Sequence, residues 1–305
     1  MRFMIIVKAS KESEAGVMPS EKLLAENPTL RGKRFSQPVV TSAITHGLSL
    51  VGDLFIDSGD CVVIPDKLWG NYRLAYEVQR GAKISTYPFF AGRGFNAEGF
   101  ERALTDNAAG RDKLIALLNF PNNPTGYMPT PAEGEALIAA LIARAQAGTR
   151  VVAVFDDAYF GLFYHLGARS MTESLFALAA NQHPNLLAIK LDGSTKELFV
   201  WGLRCGFLSY GAPPVDEAEP LLAALEKKTM GAIRAAVSNS PAISQSIVLK
   251  ALRSPTLKSE REAKLRTLGA RAAKVREEVY RPEYQSSWDV HPFNAGYFMC
   301  IRVKG

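Results

Sequence analysis

The five residues Val151-Val152-Ala153-Val154-Phe155 are apolar without a break and run directly into Asp156 and Asp157. A strand of that pattern has no polar face to offer water, so it belongs in a sheet covered on both sides. Similar runs at 61–65, 83–87, 113–120, 150–157, 186–191 and 204–210 alternate with amphipathic stretches at 45–55, 70–80, 97–108, 131–147, 171–181 and 217–237. This alternation predicts an α/β fold, a mostly parallel sheet flanked by helices. Ligands of such sheets lie beyond the carboxyl ends of the strands. The residues just past each strand are therefore the ones to read for chemistry.

Length and charge narrow the classes. With 305 residues, of which 47% are hydrophobic and 22% charged, the chain can bury one large core and carry a smaller lobe. Lys and Arg exceed Asp and Glu by 36 to 30, but in the basic stretch 258–281 glutamates are interleaved with the cations. That mixture reads as a solvated helix face, and nucleic acid is not an expected partner. Cys61, Cys205 and Cys300 lie far apart among apolar residues. They predict buried thiols in a reducing compartment, with no disulfide frame and no metal site. No apolar run reaches roughly 18 residues, so a membrane is not expected and a cytoplasmic location is.

The residues beyond the strands are chemically pointed. The stretch 190–206 reads Lys-Leu-Asp-Gly-Ser-Thr-Lys-Glu-Leu-Phe-Val-Trp-Gly-Leu-Arg-Cys-Gly. A small-residue turn presents Lys196 among apolar neighbours, where desolvation would lower its pKa and leave an amine able to attack a carbonyl. Arg204, between Gly202 and Gly206, suits an anion that comes close to the backbone. Past strand 113–120, Pro121-Asn122-Asn123-Pro124-Thr125-Gly126 is a rigid turn able to project the Asn123 amide. Asp156, at the end of its strand, would keep a ring nitrogen protonated, and Tyr159 would hydrogen-bond a phenolic oxygen. Thr41-Ser42-Ala43-Ile44-Thr45-His46-Gly47 opens a helix whose free amides favour an anion, and Trp69 can stack on a planar ring. Each feature taken singly also reads as ordinary turn, cap or core chemistry. His46 reads as a helix-face or interface residue, and His165, His183 and His291 show no partner spacing.

In this order, these residues resemble the class I/II aminotransferases of aspartate and aromatic type, which are pyridoxal-phosphate enzymes of fold type I. The resemblance runs from about residue 23 to the C-terminus. It implies that Lys196 is the Schiff-base lysine and that Thr195, Arg204, Ile44 and Thr45 form the phosphate cup. It further implies that Asp156 pairs with the pyridine nitrogen, that Tyr159 and Asn123 bond the ring oxygen, and that Trp69 stacks on the ring. Lys196, Asp156 and Tyr159 are then the catalytic set, with pyridoxal 5'-phosphate as cofactor and an amino acid and a 2-oxo acid as substrates. The segment Ile233-Arg234-Ala235-Ala236-Val237-Ser238-Asn239 is similar to the one whose arginine reaches the neighbouring subunit's site, so the resemblance also implies a homodimer with Arg234 on the substrate.

The departures set further expectations. Ala43 and Gly193 stand where many members have a glycine and a serine. Residues 1–22, beginning with a strand-like Met-Arg-Phe-Met-Ile-Ile-Val-Lys, resemble instead the opening of the small DGPF-type, YCII-related proteins. The expected organisation is thus a foreign segment 1–22, a cofactor-binding large domain 23–255, and an incomplete small domain 256–305 made of a helix at 256–280 and a strand at 296–303. The arginine that grips the substrate's α-carboxylate in the family has no counterpart in the sequence. The reading is an aminotransferase of weak turnover. The alternatives are a truncated fusion that binds the cofactor without turnover, as a structural or interaction remnant, and a lyase on the same fold.

Overall fold

The computed structural model describes residues 24–164, 166 and 169–305. The strand expected near the N-terminus, the segment 1–22 and His165 lie outside the described residues. Seven strands form the main sheet: β1 (Val39–Thr41), β2 (Cys61–Pro65), β3 (Lys83–Tyr87), β4 (Lys113–Asn119), β5 (Arg150–Asp156), β6 (Leu186–Gly193) and β7 (Gly206–Gly211). Their order is β1-β7-β6-β5-β4-β2-β3. The pairs from β3 to β6 are all parallel, while β7 runs antiparallel to both β6 and β1. The α/β sheet expected from the sequence is present. The reversal of β7 follows from its connection: the chain turns back through 194–205 with no long crossover helix, so Gly206 returns opposite Gly193.

The apolar run in β5 divides as a strand period of two requires. Val151, Ala153 and Phe155 enter one core with Phe100 and Leu104 of α2 (Ala97–Ala108), Leu137 and Leu141 of α3 (Pro131–Gln146), and Phe176 of α4 (Leu175–Ala179). Val152 and Val154 enter the other with Leu48 and Val51 of α1 (Ala43–Phe55) and Leu222 and Leu225 of α5 (Ala218–Val237). Both sheet faces are therefore covered. The start of α3 is set locally. Thr130 accepts from the Glu133 amide while Glu133 bonds back to the Thr130 amide, and Pro131 fills the first helical position.

Several boundaries differ from expectation. The stretch 70–80 is a π-helical turn, Arg73–Val78, and the helix expected at 171–181 shortens to Leu175–Ala179. Strand β7 starts at Gly206, not 204, because Arg204 has a left-handed backbone (φ 48°). The short edge strand β1 and helix α6 (Ala242–Leu252) have no distinctive sequence pattern and were not expected. In the C-terminal region, α7 (Leu257–Val279) is present, but the strand expected at 296–303 is limited to Ile301–Val303, paired with Trp288–Val290. The chain at 294–298 is instead drawn onto the turn after β4. The amides of Asn294 and Ala295 both donate to the Gly126 carbonyl at 2.9 Å. Gly126 has φ +67°, and a Cβ there would lie 1.9 Å from the Phe298 carbonyl oxygen.

Leu117, fully buried on β4, tests the packing of the sheet. Leu117→Ala is expected to lower the unfolding free energy by about 2–5 kcal/mol, measured by urea denaturation.

Candidate active site

Beyond the carboxyl ends of β4, β5 and β6 lies a cavity of about 210 Å³, bordered on one side by the start of α1. Lys196, Asp156 and Tyr159 line it, as do Asn123 and Trp69. So do Thr195, Arg204, Ile44 and Thr45. Nine residues scattered from 44 to 204 in the sequence are thus brought to one place. Arg234 is the exception. It is exposed on α5, donates to the Ser238 hydroxyl on its own segment, and does not line this cavity.

Lys196 rides on a single helical turn, Ser194–Glu197, immediately after β6. It is half-buried, and its Nζ stands 5.5 Å from the centre of the Tyr159 ring. Burial lowers its pKa, the Arg204 charge lowers it further, and Asp156 opposes both. Two contacts from the C-terminal region hold this turn. The Tyr297 hydroxyl donates to the Lys196 carbonyl at 3.0 Å, and Arg261 of α7 pairs with the buried Glu197 at 3.1 Å. Neither residue was singled out from the sequence, because their contacts span 101 and 64 positions, the latter being 261 minus 197.

Asp156 is the last residue of β5 and only 2% exposed. Its Oδ2 accepts from the Tyr72 hydroxyl at 2.6 Å and its Oδ1 from the Ala158 amide at 3.0 Å. Burial pushes its pKa up to about 6, against the pull of these two donors. Tyr72 escaped the sequence reading. The one available signal was its place three residues after Trp69, a spacing that puts both on one side of a helical turn. The two rings meet edge to face, with centroids 5.6 Å apart.

The adjacent Asp157 points elsewhere. It meets Lys190 of β6 at 2.7 Å, and Lys190 in turn meets Asp192 at 2.8 Å. Ser174 donates to the same Asp157 carboxylate at 2.6 Å. Lys190 is 1% exposed. Burial opposes its charge, but the two carboxylates outweigh that and hold it above the ordinary ammonium range.

Asn119 links the floor of the site. Its amide donates to the Asp156 carbonyl at 2.8 Å, and its side-chain oxygen accepts from the Asn123 amide at 2.7 Å. The Asn123 side chain thereby comes within 3.5 Å of the Tyr159 hydroxyl. Burial and the nearby Asp156 push Tyr159 up to about 12, so at neutral pH it is a proton donor.

The part of the cavity wall formed by the start of α1, Thr195 and Arg204 suits an anion. Ser42 makes no side-chain cap on α1, and no acidic residue occupies the helix's first turn. Thr195 Oγ1 is buried with no hydrogen-bond partner among the described residues, and Arg204 stands beside it in the cavity wall. β7 presses close to the start of α1. A Cβ on Gly206 would lie 2.7 Å from the Ala43 carbonyl carbon. Ala43 itself has φ +68°, a conformation in which glycine is at ease and alanine is strained. These groups fit a phosphate, and the Asp156 carboxylate with the Tyr159 and Asn123 donors fits a protonated pyridine ring with a phenolic oxygen.

Comparison with known proteins agrees with this geometry. The family "Aminotransferase class I and II" matches residues 17–305. The chain belongs to that family. It is 26% identical over 222 residues to the cytoplasmic aspartate aminotransferase of Saccharomyces cerevisiae, covering 70% of this chain and 51% of that protein. It is 25% identical over 218 residues to a tyrosine aminotransferase of Klebsiella pneumoniae, covering 71% and 51%. The chain thus spans about half the length of the curated relatives it matches. Among solved structures, it resembles an aminotransferase from Anaerococcus prevotii with TM-score 0.73 and 22% identity, covering 90% of this chain and 66% of that one. It also resembles the alanine aminotransferase from Pyrococcus furiosus, with TM-score 0.73 and 16% identity, covering 96% and 67%. The fold is that of the fold type I pyridoxal-phosphate enzymes.

The raised pKa of Asp156 has a measurable consequence. A carboxyl raised from its ordinary value to about 6 contributes stability below the unfolded pKa and loses it as pH rises through about 6. Between about pH 4 and 7, the cofactor-free Asp156→Asn variant should therefore gain on the wild type, by roughly 3 kcal/mol. Urea unfolding of both proteins across that range measures the difference. A constant difference would mean that Asp156 ionises at its ordinary pKa.

Proposed function

We propose that the chain is a pyridoxal-phosphate-dependent aminotransferase, moving an amino group from an amino acid of the aspartate or aromatic class to a 2-oxo acid. The observation that carries this reading is the convergence of a lysine, a buried carboxylate and an anion site on one cavity. Pyridoxal phosphate, when bound, supplies the electron sink for the chemistry at the substrate's α-carbon.

The chain's own residues divide the remaining work. Thr195 Oγ1, Arg204 and the amides at Ile44 and Thr45 bind the phosphate. Asp156 would hold the proton of the ring nitrogen, while Tyr159 and Asn123 would donate to the ring oxygen and Trp69 would cover the ring. Lys196 Nζ, kept partly desolvated, would hold the cofactor and would take a proton from the substrate's α-carbon and return it as general base and acid.

Among the described residues, Lys196 and Arg204 are the cations that line the cavity, and both are committed to the cofactor. A carboxylate-bearing substrate needs another. This favours a homodimer in which the exposed Arg234 serves the neighbour's site, and exposed apolar side chains such as Met230, Val237 and Ile243 near it support a covered face. The same observation keeps open a second reading, cofactor binding without turnover.

The purified protein is expected to bind pyridoxal phosphate with a visible absorbance band that Lys196→Ala abolishes. A folded sample with no band would sink the proposal. Coupled assays with aspartate, glutamate and aromatic amino acids, at saturating 2-oxoglutarate, then separate the readings. Turnover is expected for an aminotransferase, and a band without turnover would favour the second reading. Sedimentation at micromolar concentration should show a dimer, and a clean monomer would remove Arg234 from the site.

A further inference from the structure

The hydrogen bond between Tyr72 and Asp156 has no part in the roles assigned above, yet it is among the shortest in the site and is wholly buried. Two donors reach the carboxylate from different elements: the Tyr72 hydroxyl on Oδ2 and the Ala158 amide on Oδ1. Together they pin the plane of the carboxylate, which a single donor would leave free to rotate. The Tyr72 ring is held in turn by the edge of Trp69. The strand end, the turn after β2 and the ring-covering tryptophan are thereby connected through one phenol.

We propose that Tyr72 is a positioning residue that fixes the Asp156 carboxylate and holds it ionised toward the ring nitrogen of the cofactor. This rests on the aminotransferase reading above. Its reason is electrostatic. Burial favours the neutral form of Asp156, and a neutral carboxyl cannot form an ion pair with a protonated pyridine. A hydrogen bond donated to the charged form acts in the opposite direction and is strong because its acceptor is charged. The groups facing this pair are Asp157 from the same strand end, Lys196 from the lysine turn, Tyr76 from the π-helical turn and Tyr159 from the loop after β5. Asp157 opposes ionisation of Asp156, and Lys196 favours it. Tyr72 itself does not ionise in the working range, since burial and the adjacent Asp156 hold its phenol well above the usual value. It remains a donor throughout.

The test measures dissociation constants of pyridoxal phosphate and of its 1-deaza analogue, in which a carbon replaces the ring nitrogen. The proteins are the wild type, Tyr72→Phe, Asp156→Asn and the double variant. Tyr72→Phe is expected to weaken pyridoxal phosphate about tenfold, the effect of one hydrogen bond to a charged group. It should leave the deaza analogue nearly unchanged, and the double variant should bind no more weakly than Asp156→Asn alone. The pH below which pyridoxal phosphate affinity declines should move upward in Tyr72→Phe. Should that variant fail to fold, 3-fluorotyrosine at position 72 keeps the shape, strengthens the donor and should move the same pH downward. Equal weakening of both ligands, an additive double variant or an unmoved pH would each overturn the proposal and leave the aminotransferase reading standing. A wild type that binds neither ligand would overturn both.

Discussion

Burial of the central strands on both faces is the constraint from which the rest of the molecule follows. In β5 and its neighbours, successive side chains enter two separate apolar cores, so neither face can carry an unpaired polar group without a desolvation penalty. The polar side chains of the candidate site lie at or just past the strand ends. Asn119 closes β4, Asp156 closes β5, and the turn holding Lys196 follows β6. The site is therefore located where the sheet stops being able to exclude polarity, and its residues inherit the rigidity of the parallel ladder behind them.

Lys190 is a buried charge within the sheet, and it serves that edge. Its charge is buried, compensated by Asp157 and Asp192, and Ser174 completes the Asp157 carboxylate. Removing one member of such a cluster strands the others, at a cost of about 3–5 kcal/mol. The cluster draws Asp157 away from Asp156, so two adjacent acids have separate environments. One neutralises a buried cation between β5 and β6. The other faces the cavity and accepts, among the described residues, from a phenol and an amide.

Opposed demands also shape the anion end. β7 must approach α1 closely enough that Gly206 tolerates no side chain, while Ala43 and Arg204 on either side adopt left-handed backbones. For alanine that conformation costs roughly 1–2 kcal/mol. Such strain persists where the surroundings over-determine the backbone, and here the first turn of α1, Thr195 and Arg204 line the same cavity. At the other end, burial moves Asp156 and Lys196 toward their neutral forms. A ligand carrying both a phosphate and a basic ring nitrogen would meet complementary charge at each end.

Much of this was legible in the residues. The uninterrupted apolar strands specified a sheet covered twice, because no other environment accepts them. The motifs past those strands specified which side chains would meet at its carboxyl edge, because strand ends in such sheets converge. The reversal of β7, the edge strand β1 and the π-helical turn were hidden, since each depends on how the chain returns and not on local pattern. Tyr72, Tyr297 and Arg261 were hidden for a related reason: their partners are distant in sequence, and a tyrosine or arginine looks the same whether it faces solvent or a buried carboxylate. The sequence by itself determined the fold class and pointed to nine residues that share one cavity, through periodicity and residue chemistry. Only the tertiary structure decided that Asp156 faces the cavity while Asp157 faces Lys190, and that Arg234 stands outside, because side-chain environment is a property of packing between elements far apart in the chain.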